Sequence, residues 1–154
     1  MKEESQLIGT GFYWEDLAVG SCFHTHKRTI TETDLVNYVN LTWLTEEVFT
    51  NTADRSDMAL QGRVVPGAMV YGFAEGLLLA AIQDVGLAFL NAEIDIKGPT
   101  HVGDTIHIEC EVIETRPTSK PDRGLARTLN RVVNQEGSVV LTYNPLRLVK
   151  RRST

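Results

Sequence analysis

The sequence predicts an α+β fold in which a largely antiparallel sheet wraps around one long central helix. Two patterns carry this expectation. From Gly67 to about Asp84 the chain is apolar nearly all round, as a buried helix is. After it come runs in which apolar and polar residues alternate, as in strands with one buried and one wet face. Strands that follow one another directly favour antiparallel pairing, and a sheet folded around the helix is the simplest way to bury it.

The elements follow in order. Residues 1–12 have little periodicity, and Tyr13-Trp14-Glu15-Asp16-Leu17-Ala18-Val19-Gly20 then reads as a segment whose aromatics cover one end of the core. A strand is expected from about Cys22 to Ile30. Thr31 and Asp34 have the spacing of a capping box, so a short helix should start there, turn Leu35, Tyr38 and Val39 inward and run out near Trp43. The polar stretch 43–62 is predicted to hold another short helix around Ala53 to Leu60, ended by Gln61-Gly62. Pro66 suits the first turn of the long helix, because its missing N–H would be unpaired there anyway. Within that helix Val70, Phe73, Ala74, Leu77, Leu78 and Ala81 make one broad face, with Gly72, Gly76 and Ala80 on the other.

Leu90, Ala92, Ile94 and Ile96 then alternate with Asn91, Glu93, Asp95 and Lys97, and Ile106, Ile108, Cys110 and Val112 alternate with Thr105, His107, Glu109 and Glu111. Further strands are expected from about Leu125 to Val133 and from Ser138 to Val149, joined by the turn Asn134-Gln135-Glu136-Gly137. Pro145 belongs on an edge or at a bulge, since it cannot donate to a ladder.

The chain has 154 residues, the size of one domain, so a single domain over 1–154 is expected. With 15 Lys and Arg against 20 Asp and Glu, the net charge of −5 gives no electrostatic reason to seek nucleic acid or an anionic membrane. The basic cluster Lys150-Arg151-Arg152 reads as a solvated end. Glu75, Gln83 and Asp84 interrupt the most apolar stretch, which argues against a membrane span. Cys22 and Cys110 lie far apart with no C-x-x-C, and the polar start Met1-Lys2-Glu3-Glu4-Ser5 has no signal character, so a reduced, cytoplasmic protein is expected. His24, His26, His101 and His107 lack neighbouring ligands at metal spacing, and phosphate loops and nucleophile elbows are absent. Neither a metal nor an organic cofactor is expected.

Three segments together resemble the MaoC-like hydratase/dehydratase family. They are Tyr13 to Gly20 followed by Arg28-Thr29-Ile30-Thr31-Glu32-Thr33-Asp34; Gly62-Arg63-Val64-Val65-Pro66-Gly67-Ala68-Met69 at the start of the long helix; and Gly98-Pro99-Thr100-His101-Val102-Gly103-Asp104-Thr105-Ile106 leading into a strand. The resemblance implies a hot-dog fold that dimerises by joining two sheets edge to edge. It also implies acyl-thioester sites near the subunit interface, for coenzyme A or acyl-carrier substrates. In the family, the backbone N–H at the position of Gly67 helps hold the thioester carbonyl, where a helix N-terminus favours developing negative charge. On the residues alone, Gly67 can equally serve a tight approach to the helix.

The family's hydratases carry an Asp and a His five residues apart, in a motif like L-T-G-D-x-N-P-x-H. Counting back from Arg63 without a gap, the matching stretch is Leu41-Thr42-Trp43-Leu44-Thr45-Glu46-Glu47-Val48-Phe49, with Leu44 at the Asp position and Phe49 at the His position. Neither side chain can exchange a proton, and a positioned acid or base contributes roughly 10²–10⁴-fold. Hydration by the usual mechanism is therefore expected to be close to background. Glu46 and Glu47 are the nearby carboxylates that a different loop path could bring in; otherwise they are solvated loop residues.

Glu75 is the residue that does not fit a passive core. A buried carboxylate without a partner costs several kcal/mol or takes up a proton. Certain hot-dog thioesterases with a His-Gly-Gly helix start place a catalytic Asp or Glu nine residues after that His, and Pro66 to Glu75 is the same interval, although Pro66 and Ala68 replace the His and second Gly. Glu75 thus stands as a candidate base or nucleophile, as a pocket-lining residue, or as a structural carboxylate bonded to Tyr71, a partner subunit or water. Three functions follow: an unconventional lyase using Glu46, Glu47 or Glu75; a thioesterase using Glu75; or a non-catalytic acyl-thioester binder or partner subunit.

Overall fold

The computed structural model describes residues 7–153. The polar start Met1–Ser5 lies outside them. An eight-stranded antiparallel sheet and a central helix form the molecule. In chain order the strands are β1 (Cys22–His24), β2 (Arg28–Thr29), β3 (Gly86–Asn91), β4 (Ile94–Ile96), β5 (Thr105–Pro117), β6 (Arg123–Val133), β7 (Val139–Tyr143) and β8 (Leu146–Lys150). The helices are α1 (Glu32–Thr42), α2 (Glu47–Thr50), α3 (Gly67–Leu77) and α4 (Leu79–Ile82).

The long β5–β6 hairpin is the spine. β1 and β2 pair with β5 on one side, and β7 and β8 pair with the two halves of β6 on the other. β4 then pairs with β7 and β3 with β8, so the β3–β4 segment forms one edge of the sheet, opposite the β1–β2 edge. The β7–β8 and β3–β4 segments are interrupted at the same level: Asn144-Pro145 separates β7 from β8, and Ala92-Glu93 separates β3 from β4, with the Glu93 N–H donating to Asn144 Oδ1 at 2.6 Å. Pro145 cannot donate to a ladder, which is why the one strand expected over 138–149 is two.

The expected inward row of β5 is buried almost completely, with Ile106, Ile108 and Val112 at 0% exposure. It packs with Ile30, Leu35 and Val39 from the α1 region and with Met69, Val70 and Ala74 from α3. Thr31 caps α1 as the spacing predicts: its hydroxyl accepts from the Asp34 N–H and the Asp34 carboxylate accepts from the Thr31 N–H.

Several expectations are corrected. The strand over 22–30 is split, because the Thr25-His26-Lys27 stretch leaves the ladder between β1 and β2. No helix forms over Ala53–Leu60; only the short α2 does, and Asn51 and Asp54 side chains bond following backbone N–H groups, competing with helix formation. The long helix ends at Leu77, with a bend at Leu78 before α4. Its second face is not covered by the described residues: Ala68, Gly72, Gly76 and Ala80 are exposed. Leu90, Ile94 and Ile96 do not point into the core either; they are 51%, 48% and 53% exposed on the β3–β4 edge. The periodicity is that of a strand, but the apolar row it predicts as buried stays about half exposed, even where Ile96 reaches the start of α3. Among the described residues no helix is long and apolar enough to cross a membrane.

Candidate functional site

Pro66 caps α3 with an extended backbone, and the first helical turn closes onto its carbonyl through the Met69 and Val70 N–H groups. The N–H groups of the opening residues of a helix have no helical acceptor, so the Gly67 N–H is available at the positive end of the helix dipole. A pocket of about 480 Å³ opens here. Gly67, Val70 and Pro66 line it from the helix, Phe49 and Glu46 from the 44–50 loop, and Ile96 from β4. The Lys97-Gly98-Pro99-Thr100 stretch completes its rim. A Cβ on Gly67 would come within 2.8 Å of Ile96 Cδ1, so glycine also keeps this pocket open.

One arginine holds the loop against the helix start. Arg63 donates to Glu32 through Nε at 3.0 Å and Nη2 at 2.6 Å, and its Nη1 donates to the Phe49 carbonyl at 2.5 Å. Its hydrogen bonds hold the Glu32 carboxyl below the usual carboxylate range. Phe49 lies against the core and lines the pocket; Leu44, half-buried behind the left-handed Trp43 (φ 62°), does not line it. The two positions expected from the resemblance are thus separated. Of the two loop carboxylates, Glu46 lines the pocket, whereas Glu47 bonds Asn51 at 3.3 Å.

Glu75 lies two helical turns beyond Gly67 and is not part of this pocket lining. Its Oε1 accepts from the Tyr143 hydroxyl at 2.8 Å and from Arg147 Nη2 at 2.5 Å. Tyr71, offered by the sequence as its partner, instead stacks edge-on against Tyr143, with ring centroids 5.1 Å apart. Burial and the Glu75 charge push the Tyr71 and Tyr143 hydroxyls up, and burial pushes the neighbouring Cys110 thiol up to about 12. These groups stay protonated at neutral pH. Sequence reasoning missed Tyr143, Arg147 and Arg63. A usable signal existed for one: an arginine inside the apolar run Leu146–Val149 is the partner a buried carboxylate requires. No cluster of metal-binding side chains exists among the described residues.

No protein-family model matches the chain. It is 25% identical over 108 residues to an (R)-specific enoyl-CoA hydratase of Rhodospirillum rubrum, covering 70% of this chain and 74% of that protein. A crystal structure of a MaoC-like dehydratase from Rhodospirillum rubrum superposes with a TM-score of 0.79 at 22% identity, over 94% of this chain and 100% of that one. A Mycobacterium tuberculosis protein with a double hot-dog fold matches with a TM-score of 0.79 at 20% identity, over 96% of this chain and 46% of that one. The chain has the hot-dog fold, and MaoC-like hydratases and dehydratases are among its relatives and structural neighbours, as the resemblance of the three segments implies.

Proposed function

We propose that this protein binds an acyl thioester of the coenzyme A type and acts in the hydratase/dehydratase class through a remodelled site, with Glu46 as its proton-transfer group. The observation that carries this is that Glu46 and Gly67 line one pocket while Leu44 and Phe49 supply no proton acceptor. The Gly67 N–H donates to the thioester carbonyl. Water adds at C3 of a 2-enoyl thioester, the Glu46 carboxylate takes its proton, and the carbonyl oxygen holds the resulting enolate charge. The same carboxyl then delivers the proton to C2, and dehydration is the reverse.

Thioester hydrolysis through Glu75 receives less support, because its carboxylate is bound by Arg147 and Tyr143 and lies outside the pocket of Gly67. A second reading, a non-catalytic binder or partner subunit, is favoured by the apolar side chains at both dyad positions.

A homodimer fits the same reading. The free β3–β4 edge carries exposed Leu87, Phe89, Leu90, Ile94 and Ile96, and pairing two such edges would bury them. A cytoplasmic protein with neither metal nor organic cofactor, binding no nucleic acid or membrane, completes the proposal.

The test is product analysis with 2-enoyl-CoA, 3-hydroxyacyl-CoA and saturated acyl-CoA, wild type beside Glu46→Gln and Glu75→Gln. Water addition lost in Glu46→Gln and kept in Glu75→Gln supports the proposal. Free thiol release abolished by Glu75→Gln would establish the thioesterase instead, and binding without turnover the partner role.

A further inference from the structure

Three side chains with hydrogen-bonding groups line the Gly67 pocket: Glu46, Lys97 and Thr100. Two of them are accounted for. Glu46 stands exposed on the 44–50 loop, and Lys97 is held at the rim by Asp95. Thr100 differs from both. It is 4% exposed, a polar residue set into a wall whose other buried members are Val64, Val65, Val70, Val140 and Leu141.

Neighbouring residues fix the direction of its side chain. The Thr100 carbonyl accepts from the Val65 N–H at 2.9 Å, and Val64 bridges antiparallel to His101. The His101 ring turns over Gly62 and places Nε2 3.0 Å from the Gln61 carbonyl. Side chains alternate along extended backbone, and directly opposed residues share a face, so Thr100 turns away from His101 and to the side of Val65, which lines the pocket with it. Among the described residues the Thr100 hydroxyl has no hydrogen-bond partner. Whereas the unpaired Asn130 amide is sealed off, the Thr100 oxygen stays accessible. A hydroxyl left unpaired in an apolar wall gains by pairing with a ligand group.

We propose that Thr100 reads the oxygen on C3 of the acyl chain, so that the pocket selects 3-hydroxyacyl thioesters over their deoxy counterparts. The inference rests on the thioester reading of this pocket. With the carbonyl at the Gly67 N–H, C3 lies only two bonds beyond the carbonyl carbon, inside the pocket that Thr100 lines. A hydroxyl both donates and accepts, which suits the C3 hydroxyl in dehydration and the attacking water in hydration. Thr100 exchanges no proton in either direction; it orients the oxygen whose proton Glu46 takes or returns.

The test is calorimetric binding of 3-hydroxybutyryl-CoA, each enantiomer separately, beside butyryl-CoA. The proteins are the parent, Thr100→Val and Thr100→Ser, all in the Glu46→Gln background that blocks the proposed proton transfer. One enantiomer is expected to bind the parent about 10-fold tighter than butyryl-CoA, the gain of one hydrogen bond. That preference should vanish in Thr100→Val and persist in Thr100→Ser, while butyryl-CoA, with no oxygen on C3, binds all three alike. Butyryl-CoA binding also reports that Thr100→Val is folded; should it not be, Thr100→Ala takes its place. Three results would overturn the inference and leave the thioester reading standing: equal binding of hydroxylated and deoxy thioesters by the parent, a preference that survives in Thr100→Val, or one lost in Thr100→Ser as well. If none of these thioesters binds the parent or the wild type, the thioester reading falls and this inference with it.

Discussion

The Glu75 carboxylate and the Arg147 guanidinium meet at 2.5 Å between the central helix and β8, with side chains only 23% and 14% exposed. The Tyr143 hydroxyl donates to the same oxygen. A pair this far from solvent matters most when it is broken, because the remaining partner is left charged and poorly hydrated. Glu75→Gln is expected to lose about 2 kcal/mol in urea unfolding, below the cost of breaking a fully buried pair since water still reaches both groups. Adding Arg147→Met should restore most of that loss. A double variant no more stable than the single one would show that the pair is not what holds this region.

Gly67 separates two effects that one substitution would confound. Pro66 before it already has the extended backbone (φ −60°, ψ 139°) that a following proline requires, and proline is well tolerated in a first helical turn. Gly67→Pro should therefore fold while removing the N–H, with kcat/KM for the enoyl thioester falling by about 10²-fold. Gly67→Ala keeps the donor but crowds Ile96, and is expected mainly to raise KM. Equal kinetics for the two variants would rule out carbonyl binding by this N–H.

Phe49 lines the Gly67 pocket at the position where the resembling hydratases carry histidine. Phe49→His should raise enoyl-CoA hydration above wild type, by up to about 10²-fold, the lower part of what a positioned base supplies. Enoyl-CoA turnover unchanged from wild type would mean that the loop does not aim this side chain at the substrate.

Gly124 lies under the Trp14 indole, which donates from Nε1 to the Leu125 carbonyl at 3.0 Å and stacks beneath Arg151 at 4.6 Å. A Cβ at Gly124 would overlap the ring. Gly124→Ala should cost about 2 kcal/mol by overpacking, with a change in tryptophan fluorescence marking the displaced ring.

Arg63 holds Glu32 below its ordinary value of 4.5. A carboxyl whose pKa is lower folded than unfolded stabilises above the unfolded value, and that contribution disappears as pH falls through the folded one. Glu32 is 55% exposed, so the effect is small, about 0.5 kcal/mol. The stability gap between wild type and Glu32→Gln should be present at neutral pH and close on acidification below about 4.5; a gap independent of pH would exclude the ion pair as its source.

Much of this fold was legible because local rules and burial agreed. The Thr31–Asp34 cap, the inward row Ile106 to Val112 and the turn before Gly137 each follow from short-range spacing. What misled was the β3–β4 edge. Leu90, Ile94 and Ile96 are as apolar as any core row, and alternation cannot distinguish a face buried within one chain from a face left outside it. Gly67 was legible from the segment around it, since Pro66 and the apolar run define a helix start. The Glu75 partners were not, because Tyr143 and Arg147 lie 68 and 72 residues away and meet it only through the strand order.

The anchorage of the 44–50 loop has a wider meaning. Arg63 grips it by the main-chain oxygen of Phe49, an atom every amino acid carries, and never by the side chain there. Histidine could give way to phenylalanine at this position without loosening the rim of the pocket. Arg55 likewise takes the Val48 carbonyl, at 3.1 Å, so two guanidinium groups set the loop's path through main-chain oxygens, whatever the reactivity of the side chain at position 49.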